Sequence, residues 1–364
     1  MLGFYLVGIL GLALLMVVHE AGHLFAARAF GMRVTRFSIG FGPAIWRHQS
    51  KKSETVYQVA LIPFLAYVQI AGMNPFEESD PDDKGSYANA SLIGRITAIF
   101  AGPLANYLFA SVLFFVALFV GGEPVPTTTV ELLDGPAKTA QMKNGDSVVA
   151  VNGVPVKEWE ELRNMILASP GKALNIEVTR NGSRMVIPVT PAITNGRAMI
   201  GIAPVHKQMP VGFRDAVVRS VERPAIVVKL LVESLGRMIL GKEKPQLTGP
   251  VGIVREAKRA AERSFTEYFT LLAILSAYLG GFNLLPFPAL DGGRLAFLAY
   301  EAVTRRKPNA RVEAQVHAVG LLMLLALIFV VSSKEIFTTD EPAGPKALPS
   351  ASGSVKALPP APAK

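Results

Sequence analysis

The chain of 364 residues contains no cysteine. That absence excludes structural disulfides and thiolate metal sites, so any metal must be held by His, Asp or Glu. Histidine is also scarce, at five residues, and charge is missing altogether from Leu2 to Val18. The start, Met1-Leu2-Gly3-Phe4-Tyr5, lacks the Lys or Arg that opens a secretory leader, and the apolar run is long for a leader core. It reads as a retained transmembrane helix. The chain is basic, at +9 with a pI near 9.7, yet it carries no aromatic-interleaved basic stripe and no nucleic-acid motif, so nucleic acid is not an expected partner. Half of the residues are hydrophobic and the mean hydropathy is +0.35, while the 18% that are charged cluster between apolar runs. This is the balance of a membrane protein with a soluble part, set in a lipid bilayer.

Within the first apolar run stands His19-Glu20-Ala21-Gly22-His23. Residues four apart share a helix face, so the two imidazoles can grip one Zn²⁺ while Glu20, beside them, deprotonates a water. A charged side chain near the bilayer centre costs roughly 2.5–3.5 kcal/mol on insertion scales, which weighs against a chance HExxH in hydrocarbon. Two ligands are one short of the three that a catalytic zinc normally takes from protein. The outstanding candidate for the third is Asp291 in the segment Asn283-Leu284-Leu285-Pro286-Phe287-Pro288-Ala289-Leu290-Asp291-Gly292-Gly293, where the glycines allow close backbone approach. On local sequence alone Asp291 also fits a turn aspartate capping the following helix.

Four spans are drawn at about residues 3–27, 96–120, 267–287 and 315–333, each near the ~20 residues that cross a bilayer. Gly280-Gly281, Asn283, Pro286 and Pro288 interrupt the third, as expected where a broken helix lines a protein or water cavity. The short basic loops, with Arg28, Arg33, Arg36, Arg47, Lys51 and Lys52, and with Arg294, Arg305, Arg306, Lys307 and Arg311, belong on the cytoplasmic side. The N-terminus, segment 121–266 and the tail then lie outside.

Read in chain order, His19 to His23, Gly40-Phe41-Gly42-Pro43, Ala101-Gly102-Pro103-Leu104-Ala105-Asn106, Thr248-Gly249-Pro250-Val251-Gly252-Ile253 and Asn283 to Gly293 resemble the site-2 protease family of intramembrane metalloproteases, in its bacterial RseP-type branch. The resemblance implies zinc ligands His19, His23 and Asp291, with Glu20 as general base. It also implies substrate-handling roles for Asn106, Asn283 and Pro288. Asn283 reads equally as an amide bonded to the broken helix, and the small residues before Asn106 as a device for close helix packing. The implied location is the bacterial inner membrane, with the active site toward the cytoplasm.

The expected fold is a polytopic helical membrane protein with a membrane-associated β-hairpin region and one extracytoplasmic PDZ domain. Residues 1–120 form the first membrane core, and within it residues 34–72 alternate like strands around the Gly40-Phe41-Gly42-Pro43 break. In the resembling family this hairpin lies near the active site and can pair with an extended substrate; a purely structural hairpin is the alternative. The sequence departs from the family in having Leu65-Ala66 where a Gly-Gly pair is usual. Residues 127–206 carry strand and turn signals around a helical stretch at Trp159–Ala168 in an order that resembles a PDZ domain, able to take an extended peptide or to exclude bulky substrates. Residues 213–255 suit an amphipathic region at the membrane surface, or a helix packed on the PDZ module. A second membrane core at 265–335 and a Pro-, Ala- and Ser-rich disordered tail at 338–364 complete the chain.

The function expected from these motifs is a zinc endopeptidase cleaving single-pass membrane proteins within or beside the membrane. By resemblance, its substrates are a pre-trimmed anti-sigma factor or remnant signal peptides. A non-catalytic membrane scaffold gathering partners through the PDZ module is the competing class, and a metal transporter fits the hydrolytic spacing poorly.

Overall fold

The uncharged N-terminal run folds as helix α1 (Leu2–Ala29), which satisfies its own backbone polar groups as a chain in hydrocarbon must. The computed structural model describes residues 2–51, 53–74, 82–194, 196–242 and 248–337. The tail, expected to be disordered, lies outside these.

After α1 come two long strands, β1 (Val34–Gln49) and β2 (Val56–Ile70), paired antiparallel. Each bends at its middle. Val34–Ile39 therefore pairs with Ile70–Ala66 on one side and, from Arg36 on, with Val56–Val59 on the other, while Ala44–Gln49 pairs with Ala60–Val56. Gly40 and Gly42, both at φ +93°, make the bend in β1, and a side chain on Gly40 would run into the carbonyls of Ala60 and Ile62. Helix α2 (Leu92–Gly121) follows, with Pro103 inside it.

Residues 121–211 form a unit of their own. Its elements are β3 (Glu123–Leu132), α3 (Pro136–Thr139), β4 (Ser147–Val151), β5 (Val154–Pro155), α4 (Trp159–Leu167), β6 (Leu174–Arg180), β7 (Ser183–Val189), β8 (Ala192–Thr194), β9 (Arg197–Met199) and β10 (Ile202–Met209). The main sheet runs β10-β3-β4-β6-β7, all antiparallel, with β5 paired to β4. Asn181-Gly182, both at positive φ, close the β6–β7 hairpin as the two-residue turn that the sequence announces. Inward-facing Val148, Ile176, Val178 and Val189 alternate along their strands and pack with Leu162 of α4, all essentially inaccessible to solvent.

The chain then returns as α5 (Phe213–Ile239), α6 (Pro250–Arg263), α7 (Phe265–Asn283), α8 (Asp291–Thr304) and α9 (Ala310–Phe337). Among the described residues four helices are long and apolar enough to cross a membrane: Gly3–Ala29, Leu92–Gly121, Phe265–Asn283 and Ala310–Glu335. The third span stops at Asn283, short of the 287 expected, where Pro286 and Pro288, two positions apart, withhold two of the N–H groups that a further turn would need. Gly280 and Gly281, read in the sequence as interruptions, lie inside α7, where Gly280 lets the carbonyl of Pro103 come close.

In α5 the buried stripe is Ala216, Ser220, Pro224 and Val227, and Val227 joins Leu15 of α1, Phe114 of α2 and Leu272 of α7 in one core cluster. The Thr248–Ile253 motif opens α6, which runs to Arg263, past the boundary drawn at 255. Glu335 of α9 caps that start, accepting from the N–H groups of Gly249 at 2.7 Å and Gly252 at 3.1 Å. A side chain at either glycine would collide with that carboxylate.

Candidate metal centre

On α1, His19 and His23 project from one face and Gly22 lies between them. Gly22 is packed so tightly on α2 that a methyl group there would strike the Ala101 carbonyl. Opposite, Ala98, Gly102 and Asn106 line one face of α2 at successive intervals of four. Gly102 makes room for the His23 ring, which a side chain at 102 would overlap. His23 Nδ1 donates to the Ala98 carbonyl at 2.8 Å, so in the neutral ring Nε2 is the nitrogen that keeps a lone pair. The Asn106 side chain lies 3.2 Å from His19 Nδ1. Ser276 of α7 donates to the Asn106 backbone carbonyl at 2.8 Å.

Asp291 opens α8, and its carboxylate therefore sits at a helix N-terminus, where negative charge is favoured. Gly292 lets the preceding loop fold tightly under it, since a side chain there would meet the Leu284 and Leu285 carbonyls. Asp291 Oδ2 comes to 3.1 Å from His19 Nε2 and 3.4 Å from His23 Nε2, and the two Nε2 atoms are 3.2 Å apart. Both imidazoles are buried.

This arrangement fits a divalent cation on three grounds. Ligands at about 2.0–2.1 Å from a tetrahedral zinc stand roughly 3.3–3.4 Å from one another, close to the separations seen. Asp291 Oδ2 is buried without a hydrogen-bond partner although the two Nε2 atoms lie beside it, a carboxylate oxygen that a cation would satisfy. Finally, a His19 that offers Nε2 must carry its proton on Nδ1. The Asn106 amide oxygen, otherwise buried and unsatisfied, is the acceptor that proton needs once the amide turns over. Among the described residues His19, His23 and Asp291 are the only group of three that could hold a metal ion.

Glu20 faces the strands. Its Oε2 accepts from the Val68 backbone N–H of β2 at 3.0 Å, so that strand orients the carboxylate. The Val68 amide and the Ala98 carbonyl carry no residue-type signal, and sequence reading had no means of finding them. Asn283 donates to the Leu279 carbonyl of its own helix at 3.0 Å, the arrangement of an amide bonded to a helix end. Pro288 lies against Gly320 of α9. Asn106 thus meets a histidine of the centre directly, whereas Asn283 and Pro288 are engaged with the protein scaffold around it.

A second buried constellation joins the helices that carry the centre. Arg95 of α2 pairs in bidentate fashion with Glu301 of α8, at 2.9 and 2.6 Å. Arg28, at the end of α1, donates to Ser53 and Thr55 at 2.9 and 2.8 Å and so ties the helix to the strand region.

Residues 7–327 match the family model for peptidase family M50. The chain is 31% identical to the "Zinc metalloprotease RasP" of Geobacillus kaustophilus, over 88% of this chain and 95% of that protein. It is 27% identical to the "Regulator of sigma-E protease RseP" of Escherichia coli, again over 88% of this chain and 95% of the relative. With apolar helices of membrane length and a converged His-His-Asp set, the chain belongs to peptidase family M50 and is a membrane-embedded, site-2-type zinc metalloprotease.

Proposed function

We propose that the chain cleaves single-pass membrane proteins within or beside their transmembrane segments, with His19, His23 and Asp291 holding zinc and Glu20 acting as general base. The observation that carries this reading is the convergence of three ligand atoms among membrane-length helices, next to a carboxylate held by a strand edge. Zinc bound there supplies a Lewis acid that polarises a peptide carbonyl and acidifies water. Glu20 takes one proton from the attacking water as its oxygen bonds to the carbonyl carbon. When the C–N bond breaks, Glu20 returns that proton to the leaving amine. The Ala98 carbonyl and Asn106 keep the imidazoles in the tautomer and orientation this chemistry requires.

An extended peptide added to the outer edge of β2 would lie beside Glu20, so a helical substrate must unwind before it is cut. Pre-trimmed anti-sigma factors and remnant signal peptides are substrates of this kind. In the 121–211 unit, read as a PDZ domain on the extracytoplasmic side, β10 is the outer strand of its sheet. A groove of about 230 Å³ lies between α4 and residues 197–202, lined by Trp159, Ile166, Leu167 and Met199 with Arg163 and Arg197 at its margin. It suits strand addition by a peptide, and a domain of that size also screens out substrates with bulky outer parts.

The test is cleavage of a tagged single-pass substrate lacking a bulky outer domain, by purified wild type and Glu20→Gln in the same detergent with zinc present. Glu20→Gln is expected to keep zinc and lose a factor of about 10²–10⁴ in rate, the usual worth of a general base. Equal cleavage by both proteins would remove Glu20 from the mechanism. No cleavage by either, with no zinc taken up, would favour a scaffold.

A further inference from the structure

Helix α9 is the least buried of the four spans. At two points, one helical turn apart, it nevertheless engages the loop that delivers Asp291. Gly320 faces Pro288 so closely that any side chain at 320 would collide with that proline. One turn earlier, His317 Nδ1 accepts the backbone N–H of Ala289 at 3.0 Å. Ala289 stands at φ +75°, a conformation that a residue with a Cβ rarely adopts, two positions before the ligand. The His317 ring is itself bracketed, with Phe297 of α8 at 5.9 Å between centroids and Gly293 leaving the space that a side chain would contest with Cε1.

We infer that His317 is a positioning residue for the metal centre: by accepting the Ala289 N–H it holds the loop in its left-handed turn and so sets where Asp291 enters the site. This rests on the reading of Asp291 as the third ligand. Histidine is used here as an acceptor, because Nδ1 must present a lone pair to the amide. A ring without that lone pair would fill the volume but release the turn. An asparagine, whose Oδ1 occupies nearly the place of Nδ1, would keep the bond.

The experiment uses the full-length protein in detergent loaded with one equivalent of zinc, and follows zinc transfer to a chromogenic chelator for wild type, Asp291→Asn, His317→Phe and His317→Asn. Wild type is expected to hold zinc, and Asp291→Asn to lose it rapidly. Should wild type take up no zinc, or Asp291→Asn hold it as well, the metal-site reading itself fails, whatever His317 does. Given that baseline, His317→Phe should release zinc about 10–100-fold faster than wild type, the usual cost of losing a partner behind a metal ligand. His317→Asn should release it at close to the wild-type rate. Any other pattern overturns the inference. Wild-type release from both variants would mean the bond does nothing, and fast release from both would mean that the imidazole has another role. Retention by Phe with loss by Asn would reduce His317 to packing.

Discussion

The two units of the chain differ in what they bury beside their apolar cores. In residues 121–211 the interior is mainly Val, Ile and Leu, and one ion pair, Arg180 to the buried Asp146 through two bonds of 2.7 Å, braces loop and strand. In the helical unit the buried positions include His19, His23, Asn106, Ser276, Arg95 and Glu301, while Leu, Phe and Val fill the outer faces. Water drives the first arrangement by expelling apolar surface. Lipid does not: its tails are as apolar as leucine, so helices there associate through close packing and polar contacts, which explains the glycines and the buried polar residues. Exposure of an apolar residue therefore means different things in the two units.

The largest expected effect tests the buried pair of the helical unit. Glu301→Gln strands the Arg95 guanidinium and should cost about 3–5 kcal/mol, read as a lowered unfolding temperature in detergent, whereas the double change Arg95→Met with Glu301→Leu should lie near wild type. If the single change were harmless, the pair would not be the tie between α2 and α8 described above. In the other unit the comparable damage is apolar: Leu162→Ala should destabilise residues 121–211 by about 2–5 kcal/mol, measured by hydrogen exchange, with zinc retention unchanged.

A matched pair sharpens the contrast. Leu322 on α9 is 67% exposed and Val186 on β7 is 59% exposed. Leu322→Lys should cost roughly 2.5–3.5 kcal/mol in membrane insertion, seen as a loss of integrated protein, while Val186→Lys should fall within about 0.5 kcal/mol in stability. Equal effects would mean that α9 does not face lipid.

The smallest effect concerns pH. The Arg180 guanidinium bonded to Asp146 holds its carboxyl below the usual carboxylate range. The stabilisation is therefore fully present above the unfolded value of about 4 and is lost as pH falls through the lower folded value. The 121–211 unit should weaken in that acid window, and Asp146→Asn should flatten the slope while lowering stability at neutral pH.

Most of the centre was legible because its chemistry is local. HExxH places two imidazoles and a carboxylate within five residues, and the Asn283–Gly293 segment announces a broken chain ending in a second carboxylate. In residues 121–211, Asn181-Gly182 and the strand alternation marked hairpins without reference to anything distant. What escaped was non-local or carried by backbone. Arg95 and Glu301 are separated by 206 positions, and two charges so far apart leave no spacing signal. The glycines of α7 were read as breaks because conformational freedom is their commonest meaning, whereas here they shorten the distance between helices. For 213–242, the sequence showed that one face is apolar. It did not show that the face belongs with α1, α2 and α7.

That shortening has a consequence for how such a protein can change over time. At positions 22, 280 and 292 the atoms facing the missing side chain include backbone carbonyls, and at 102 they are the His23 ring itself. Backbone cannot be exchanged for something smaller, so no second substitution nearby restores the space that a first methyl group takes away. The ordinary neutral route from glycine through alanine to larger residues is closed at its first step. Drift in sequence must therefore pass around these four positions, and a distant chain that has altered them has altered how its helices meet.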